Sequence, residues 1–213
     1  MSENVNLTKT KNTYEDPCLV TGYAQKHSYN PKMQQAVEKF AKTLTGKRIV
    51  DVGCGPGHDS WHFARLGFEV TGVDLSSEMI KVAKSLETAK KPPTFLQGDM
   101  TELDELFKQD SFDGAWLCAS LLHIPRKLVP KVLSGLRKIV TNHGKIYIGV
   151  KKGEGEQLKV DTNYGVEAKR YFVYWQKDNF RQILKDSGFV IEKFDQQTRN
   201  ETTWLNFYLE NRK

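Results

Sequence analysis

The sequence predicts an α/β fold: a doubly wound, seven-stranded, mostly parallel sheet with one antiparallel strand near the C-terminus. Short apolar strands alternate with helical stretches of ten or more residues, the pattern of βαβ units. The first of these strands, Arg48 to Val52, runs directly into a glycine-rich turn, Gly53-Cys54-Gly55-Pro56-Gly57. The last two strand-like segments, Val190 to Phe194 and Thr203 to Leu209, have no helix between them, so they should pair antiparallel and close one end of the sheet.

The elements follow in order. Residues 1–13 are polar and read as frayed. Pro31 starts a helix over 31–45, with Met33, Val37, Phe40 and Leu44 on one face. After the first strand and its turn, a helix carries Trp61, Phe63, Ala64 and Leu66 and stops at Gly67. Phe68 to Val73 is the second strand. Ser76 or Ser77 caps a helix bearing Met79, Ile80, Val82 and Ala83, and Pro92-Pro93 bars any continuation. Thr94 to Leu96, Phe112 to Cys118 and Lys145 to Val150 supply the third, fourth and fifth strands. A helix between the last two buries Leu128, Val132, Leu133, Leu136, Ile139 and Val140 and stops at Asn142-His143-Gly144. Residues 153–170 read as irregular, and a final helix spans about Lys177 to Ser187. The chain divides into an N-terminal helical cap segment, 1–45, and a main domain, 46–213.

Composition bounds the function. The 213 residues are 38% hydrophobic and 27% charged, which excludes collagen-like, disulfide-scaffold and disordered classes. The longest apolar stretch, Gly114 to Ile124, is far below the roughly 18 residues of a spanning helix, and the polar start lacks a signal-peptide core. Cys18, Cys54 and Cys118 have no metal-ligand spacing, so the expectation is a reduced, cytoplasmic setting with no metal and no membrane partner. The net charge of +6 is spread along the chain as +3, +1 and +2 over residues 1–47, 48–150 and 151–213. Arg126, Lys127, Lys131, Arg137, Lys138, Lys145, Lys151 and Lys152 succeed one another with no acid between them. That run reads as the solvated face of the fourth helical stretch, with phosphate binding as the alternative.

The turn carries the chemistry. Glycines there let the backbone take positive φ and approach a ligand, and the following helix offers its N-terminus to a polar group. A dinucleotide site would want a third glycine where His58 stands. Asp74 ends the second strand, where an acid can accept both hydroxyls of a ribose. Gly98-Asp99-Met100 follows the third strand; Asp99 could accept from an adenine amino group, and Met100 could pack on the ring.

Taken together, Asp51-x-Gly53-x-Gly55-x-Gly57, Asp74, Gly98-Asp99 and Ser111-Phe112-Asp113 resemble the class I S-adenosylmethionine-dependent methyltransferases, strongly over about 45–150. The resemblance implies the Rossmann-like methyltransferase fold, methyl transfer and S-adenosyl-L-methionine as cofactor. It places Gly53 and Gly55 at the methionine moiety, Asp51 orienting that turn through the cofactor amino group, Asp74 at the ribose, Asp99 and Met100 about the adenine, and Cys118 and Ala119 near the sulfonium carbon and the amino group. Cys54, Gly57, Leu75, Met79 and an early tyrosine, Tyr23, complete the implied cofactor set.

Displacement at a sulfonium methyl mainly requires alignment, with a base only where the acceptor must lose a proton. His123, just past the fourth strand, is the candidate base, or else a tether of its loop. Tyr29, His123, Lys151, Arg170, Tyr171 and Tyr174 are the candidate acceptor contacts, with Arg170 expected beside His123 and facing the methyl group. A small-molecule acceptor fits the compact chain and its dispersed charge. The alternatives are an RNA (tRNA) acceptor, since Arg170 to Tyr174 loosely resembles a stretch of tRNA wobble-uridine methyltransferases, and a non-catalytic cofactor-binding or partner-activating protein. Leu117-Cys118-Ala119-Ser120 in place of a DPPY-like tetrad argues against methylation of amide-type nitrogens.

Overall fold

A computed structural model describes residues 2–28, 30–86 and 89–213. The chain opens with α1 (Ser2–Tyr14), α2 (Pro17–His27) and α3 (Pro31–Ala41). It continues through β1 (Arg48–Val52), α4 (His58–Arg65), β2 (Glu69–Asp74), α5 (Ser77–Ser85), β3 (Thr94–Gln97), α6 (Leu103–Leu106), β4 (Phe112–Cys118), α7 (Val129–Ile139) and β5 (Val140–Lys151). A hairpin, β6 (Glu156–Asp161) and β7 (Ala168–Val173), precedes α8 (Lys177–Asp186), β8 (Phe189–Arg199) and β9 (Thr202–Asn211).

Seven strands form one sheet in the order β3-β2-β1-β4-β5-β9-β8. β1 to β5 pair in parallel, β9 is antiparallel to both of its neighbours, and β8 again runs with the parallel set. The antiparallel strand therefore lies one place in from the edge rather than at it. Strand order reverses between β1 and β4, which opens a crevice at their C-terminal ends.

Both faces of the central strands are covered, which is why they read as continuous apolar runs. Val50, Val52 and Leu117 meet Val132, Leu133 and Leu136 of α7 on one face. On the other, Ile49 and Trp116 meet Phe40 of α3 and Phe63 of α4, and Trp116 stacks on Tyr147 with ring centroids 4.0 Å apart. The helices begin where the sequence supplies acceptors. Asp16 caps Cys18 N–H at 2.8 Å, Asn30 caps Met33 N–H at 3.2 Å, and Ser76 caps Met79 N–H at 3.0 Å.

Three expectations need correction. Residues 2–13 are not frayed; they form α1, held by the hairpin. Thr13 Oγ1 donates to Lys169 O at 2.8 Å and accepts from Lys169 N–H at 3.2 Å, while Thr10 Oγ1 accepts from Tyr171 N–H at 2.8 Å. Residues 153–170 are largely that hairpin and not irregular, so Arg170 sits in a strand. Asn142-His143-Gly144 does not stop α7, which ends at Ile139; the triplet lies within β5, where the register against β4 shifts.

Three cations of the basic run are held in ion pairs. Lys138 pairs with Asp104 at 2.5 Å, Arg126 with Glu156 at 3.5 Å, and Lys145 with Glu192 and Glu210 at 2.6 and 2.7 Å. Arg137 donates to Gly188 O at 2.6 Å.

Asp113 ties the start of β4 to the start of β1. It accepts from Lys47 N–H and Arg48 N–H at 3.0 Å each, and from the Arg48 guanidinium at 2.6 Å. That guanidinium holds its carboxyl below the usual value of 3.8. Asp113→Ala should lower unfolding stability by about 1–3 kcal/mol in neutral denaturant titrations. Because the folded pKa is depressed, the stabilisation is complete above the unfolded value and lost as pH falls through the folded one. Parent and variant should therefore converge in acid.

Candidate active site

A cleft of about 830 Å³, counting its mouth, opens at the crevice between β1 and β4. Its floor is the turn after β1. Val73 O accepts from both Gly53 N–H (2.7 Å) and Cys54 N–H (3.0 Å), stitching the turn to β2. A side chain at Gly53 would collide with Ser120, whose Cβ lies 2.3 Å from the position a Cβ would take. Gly55 differs: at φ +52° its Cβ would meet nothing closer than the Met79 sulfur at 4.0 Å, and would stand in the cleft.

Asp74 ends β2 facing this floor. Its Oδ2 accepts from Gly55 N–H and its Oδ1 from Ser76 N–H, each at 2.9 Å, and burial raises its pKa. Each oxygen keeps a second lone pair for an incoming hydroxyl. Leu75, Met79, Asp99 and Met100 continue the wall, and Asp99 is oriented by Thr101 N–H at 2.8 Å. Past β4, Ala119 lines the cleft with φ +57°, a left-handed conformation costly for a residue with a Cβ. The buried Ser120 Oγ beside it has no hydrogen-bond partner among the described residues.

Asp51, Cys54, Gly57 and Cys118 stand behind this wall. Gly57 packs against Ala83 and Phe95, and Cys118 Sγ lies 3.5 Å from Met33 Sδ. Asp51 is buried beneath the turn and accepts from Ser60 Oγ at 2.6 Å; Asp59 accepts from Trp116 Nε1 at 2.9 Å. Burial, then the Asp59 charge, pushes Asp51 up to about 8, and burial pushes Asp59 up to about 6.

The roof comes from α1 and α2, through Leu7, Thr10, Lys11, Tyr14 and Tyr23. Ser76 Oγ donates to Tyr14 O at 2.5 Å. The Glu15 carboxylate takes Ser77 N–H (3.0 Å) and Ser77 Oγ–H (2.7 Å) at the start of α5. Burial would raise the Glu15 pKa, but these bonds outweigh it and lower it.

His123 forms the wall opposite the glycine turn. Its Nδ1 lies 2.6 Å from Tyr171 O, a pure acceptor, so Nδ1 carries the proton and Nε2 accepts from the Tyr14 hydroxyl at 3.3 Å. Burial, then Arg170 and Lys151, drives its pKa down to about 3, so the ring is neutral. Burial raises the Tyr14 phenol to about 12 despite Arg170.

The remaining acceptor candidates do not line the cleft. Arg170 is 7% exposed, paired with Asp161 at 2.5 Å and set over the rings of Tyr164 and Phe172. Its charge is shared between Asp161 in the hairpin and the Tyr14 hydroxyl of the roof, and it is not among the residues that line the cleft. Tyr171 turns into the core and bonds Glu156. The Tyr174 ring lies under Lys159, 5.5 Å from Nζ. Lys151 Nζ sits 4.1 Å from the Phe172 centroid and 5.6 Å from that of Trp204; burial, then Arg170, lowers its pKa to about 8. Tyr29 lies outside the described residues. Leu7, Thr10, Lys11 and Ser76 line the cleft beyond the residues that the sequence marks for the site, and Tyr14, Ser120 and Ile124 line it with them. The first of these were legible in one respect: Leu7, Thr10 and Tyr14 share a helical face.

Known proteins fit this arrangement. Residues 49–144 match the family described as a methyltransferase domain. Over 101 residues the chain is 38% identical to the ubiquinone biosynthesis O-methyltransferase of Proteus mirabilis, covering 46% of this chain and 40% of that one. Over 82 residues it is 37% identical to the malonyl-[acyl-carrier protein] O-methyltransferase of Erwinia billingiae, covering 38% and 31%. The chain thus spans less than half the length of these curated relatives. A solved S-adenosylmethionine-dependent methyltransferase from Methanosarcina mazei superposes with a TM-score of 0.71 at 21% identity, over 86% of this chain and 98% of that one. The magnesium protoporphyrin IX methyltransferase of Synechocystis, solved with bound S-adenosylmethionine, gives 0.71 at 18%, over 98% and 97%. These last two likenesses establish the fold. The fold and the glycine turn are those of the Rossmann-like methyltransferases. Residues 49–144 carry the signature of a methyltransferase domain.

No helix among the described residues is long and apolar enough to cross a membrane, and no group of His, Cys, Asp and Glu among them could hold a metal ion.

The buried acids generate a prediction. Asp51 titrates at 3.8 as a free group and near 8 in the fold, so its contribution to stability is greatest below the lower value and falls as pH rises through the higher one. Asp51→Asn removes this dependence. In thermal melts of the ligand-free protein, the variant's Tm relative to the parent should rise between pH 5 and pH 8.5; a constant difference would mean that Asp51 is ionised throughout.

Proposed function

We propose that the protein transfers the methyl group of S-adenosylmethionine to a small-molecule acceptor held between the glycine turn and the α1–α2 roof. The observation that carries this reading is the pairing of an open Gly55 cradle with a buried carboxylate, Asp74, in one roofed cleft. The unpartnered Ser120 Oγ supports it, as a buried polar atom awaiting a ligand group. The relatives named for small-molecule methylation support it too.

When bound, the cofactor supplies a methyl carbon on a sulfonium whose departure as a neutral thioether makes displacement favourable. Asp74 would accept the ribose hydroxyls. Asp99 would accept from the adenine amino group, with Met100 and Met79 on the ring. Gly53, Gly55, Ala119 and Ser120 would border the methionine portion, and the buried acids Asp51 and Asp59 favour positive charge near the turn. The main domain, 46–213, holds the cofactor, and the segment 1–45 excludes water from above. At the acceptor side, His123 keeps its proton on Nδ1 and presents the Nε2 lone pair, now filled by Tyr14. An acceptor hydroxyl replacing the tyrosine would be oriented there. Because burial and two cations oppose an imidazolium, His123 orients this group and does not store its proton.

Calorimetry tests the cofactor site. Asp74→Ala should weaken S-adenosylmethionine binding by about 1.5–3 kcal/mol, and Gly55→Val should abolish it, with both variants folded by circular dichroism. Normal binding by both would put the nucleotide elsewhere. For catalysis, labelled cofactor is incubated with pools of metabolites, total tRNA and protein, and the metabolite pool should gain label. With the acceptor found, His123→Ala should change kcat by less than about tenfold and remove no acid limb from the pH profile. A fall of about 10²-fold with loss of that limb would make it the base.

A further inference from the structure

A second concave surface lies on the opposite side of α3 from the cofactor turn. On this sheet face α3 covers Ile49 of β1, Trp116 and Cys118 of β4 and Tyr147 of β5, through Phe40 and Met33. Beyond it, β9 and β8 present alternate residues that no helix meets, since their other face carries Phe207 and Phe194 against α8. Between α3 and this strip runs a groove of about 940 Å³, counting its mouth, with Lys32, Lys39, Lys193 and Arg199 on its walls. Among the described residues none of these cations forms an ion pair with a carboxylate. Asp195, the groove's one acid among the lining residues, accepts from Asn206 Nδ2 at 2.7 Å, and the Arg199 guanidinium donates to Gln197 at 2.9 Å.

The groove adjoins the active site. The first turn of α3 touches the end of β4 where Cys118 Sγ meets Met33 Sδ, and the next residue, Ala119, lines the cofactor cleft. At the same end, Lys151 stands opposite Trp204 in register, and Trp204 opposite Gln197 of the groove. A track of positive charge therefore leads from the methyl-transfer region along α3, whose 11 residues span about 16 Å.

We propose that this groove binds the phosphate-bearing tail of the acceptor, remote from the atom that is methylated. The inference rests on the methyl-transfer reading and names its substrate class. Several dispersed cations, mostly lysines, suit a multiply charged, extended group better than a single carboxylate, which one forked arginine would hold.

The full-length protein is titrated calorimetrically with inorganic tripolyphosphate at about 50 mM salt, alongside a variant carrying Lys32→Gln, Lys193→Gln and Arg199→Gln. The parent should bind, the triple variant should bind at least about tenfold more weakly, and S-adenosylmethionine should bind both equally. Phosphatase treatment of the metabolite pool should abolish its labelling. Absent or unchanged tripolyphosphate binding, or labelling that survives phosphatase, overturns the proposal. Tighter binding of a short single-stranded RNA than of tripolyphosphate, lost in the same variant, overturns it in favour of a nucleic-acid groove. Failure of the parent to bind S-adenosylmethionine would instead strike the methyl-transfer reading, and the tripolyphosphate result would stand apart from it.

Discussion

The carbonyl of Val73 and the carboxylate of Asp74 hold the turn after β1 open, and the site depends on this. Two adjacent amides, Gly53 and Cys54, converge on the one carbonyl, and a third, Gly55, is taken by the neighbouring side chain. With these donors fixed to β2, the turn cannot collapse into the space above it. The same bonds set the direction in which Gly55 faces. β1 and β2 are registered residue for residue, Val52 against Val73, so the turn emerges level with Asp74. A slip of one residue would reverse every side chain on the strand and turn Asp74 away.

The roof answers a different constraint. β7 is an edge of a two-stranded ribbon, and its outward amides need partners. Thr10 and Thr13, one turn apart on α1, supply them with side-chain hydroxyls. The C-terminal half of the helix is thereby tied to the hairpin, and Glu15 just beyond it is tied to the start of α5. The hairpin's loop closes on α2, where Gly22 leaves room for the Tyr164 backbone; a Cβ there would lie 2.7 Å from its carbonyl oxygen. Cap, hairpin and main sheet thus share one set of contacts around the cleft.

The sheet was legible because its signals are local: apolar strands, a glycine turn, a serine cap and an acid at a strand end. The same locality exposed Asp74, Asp99 and the turn. What escaped was set by tertiary partners. α1 is polar throughout, so nothing in its hydrophobic pattern marks it as a helix, and its order comes from β7. Arg170 had the right chemistry for an anionic acceptor, but Asp161, nine residues earlier, faces it across the hairpin and takes its charge. Reading residues 153–170 as a loop hid that pairing. The basic run of α7 was visible as a string of cations, yet its carboxylate partners come from α6, β6, β8 and β9 and cannot be seen along the string.

Charge is divided across the site in a way that the chemistry explains. Asp51, Asp59 and Asp74 lie at the turn; burial raises all three pKa values, and the charges of Asp59 and Asp74 raise that of Asp51 further. Such a cluster is relieved by a cationic ligand, and a sulfonium with an ammonium group is one. Across the cleft, Arg170 and Lys151 stand behind His123 and oppose its protonation. A product that has lost the sulfonium charge interacts less favourably with the acids than the cofactor did, so the acidic wall favours the charged donor over the spent one. A neutral His123 adds no positive charge facing the donor. The low pKa of His123 therefore serves the cofactor as well as the acceptor, because an imidazolium on that wall would repel the methyl-bearing sulfur it must face.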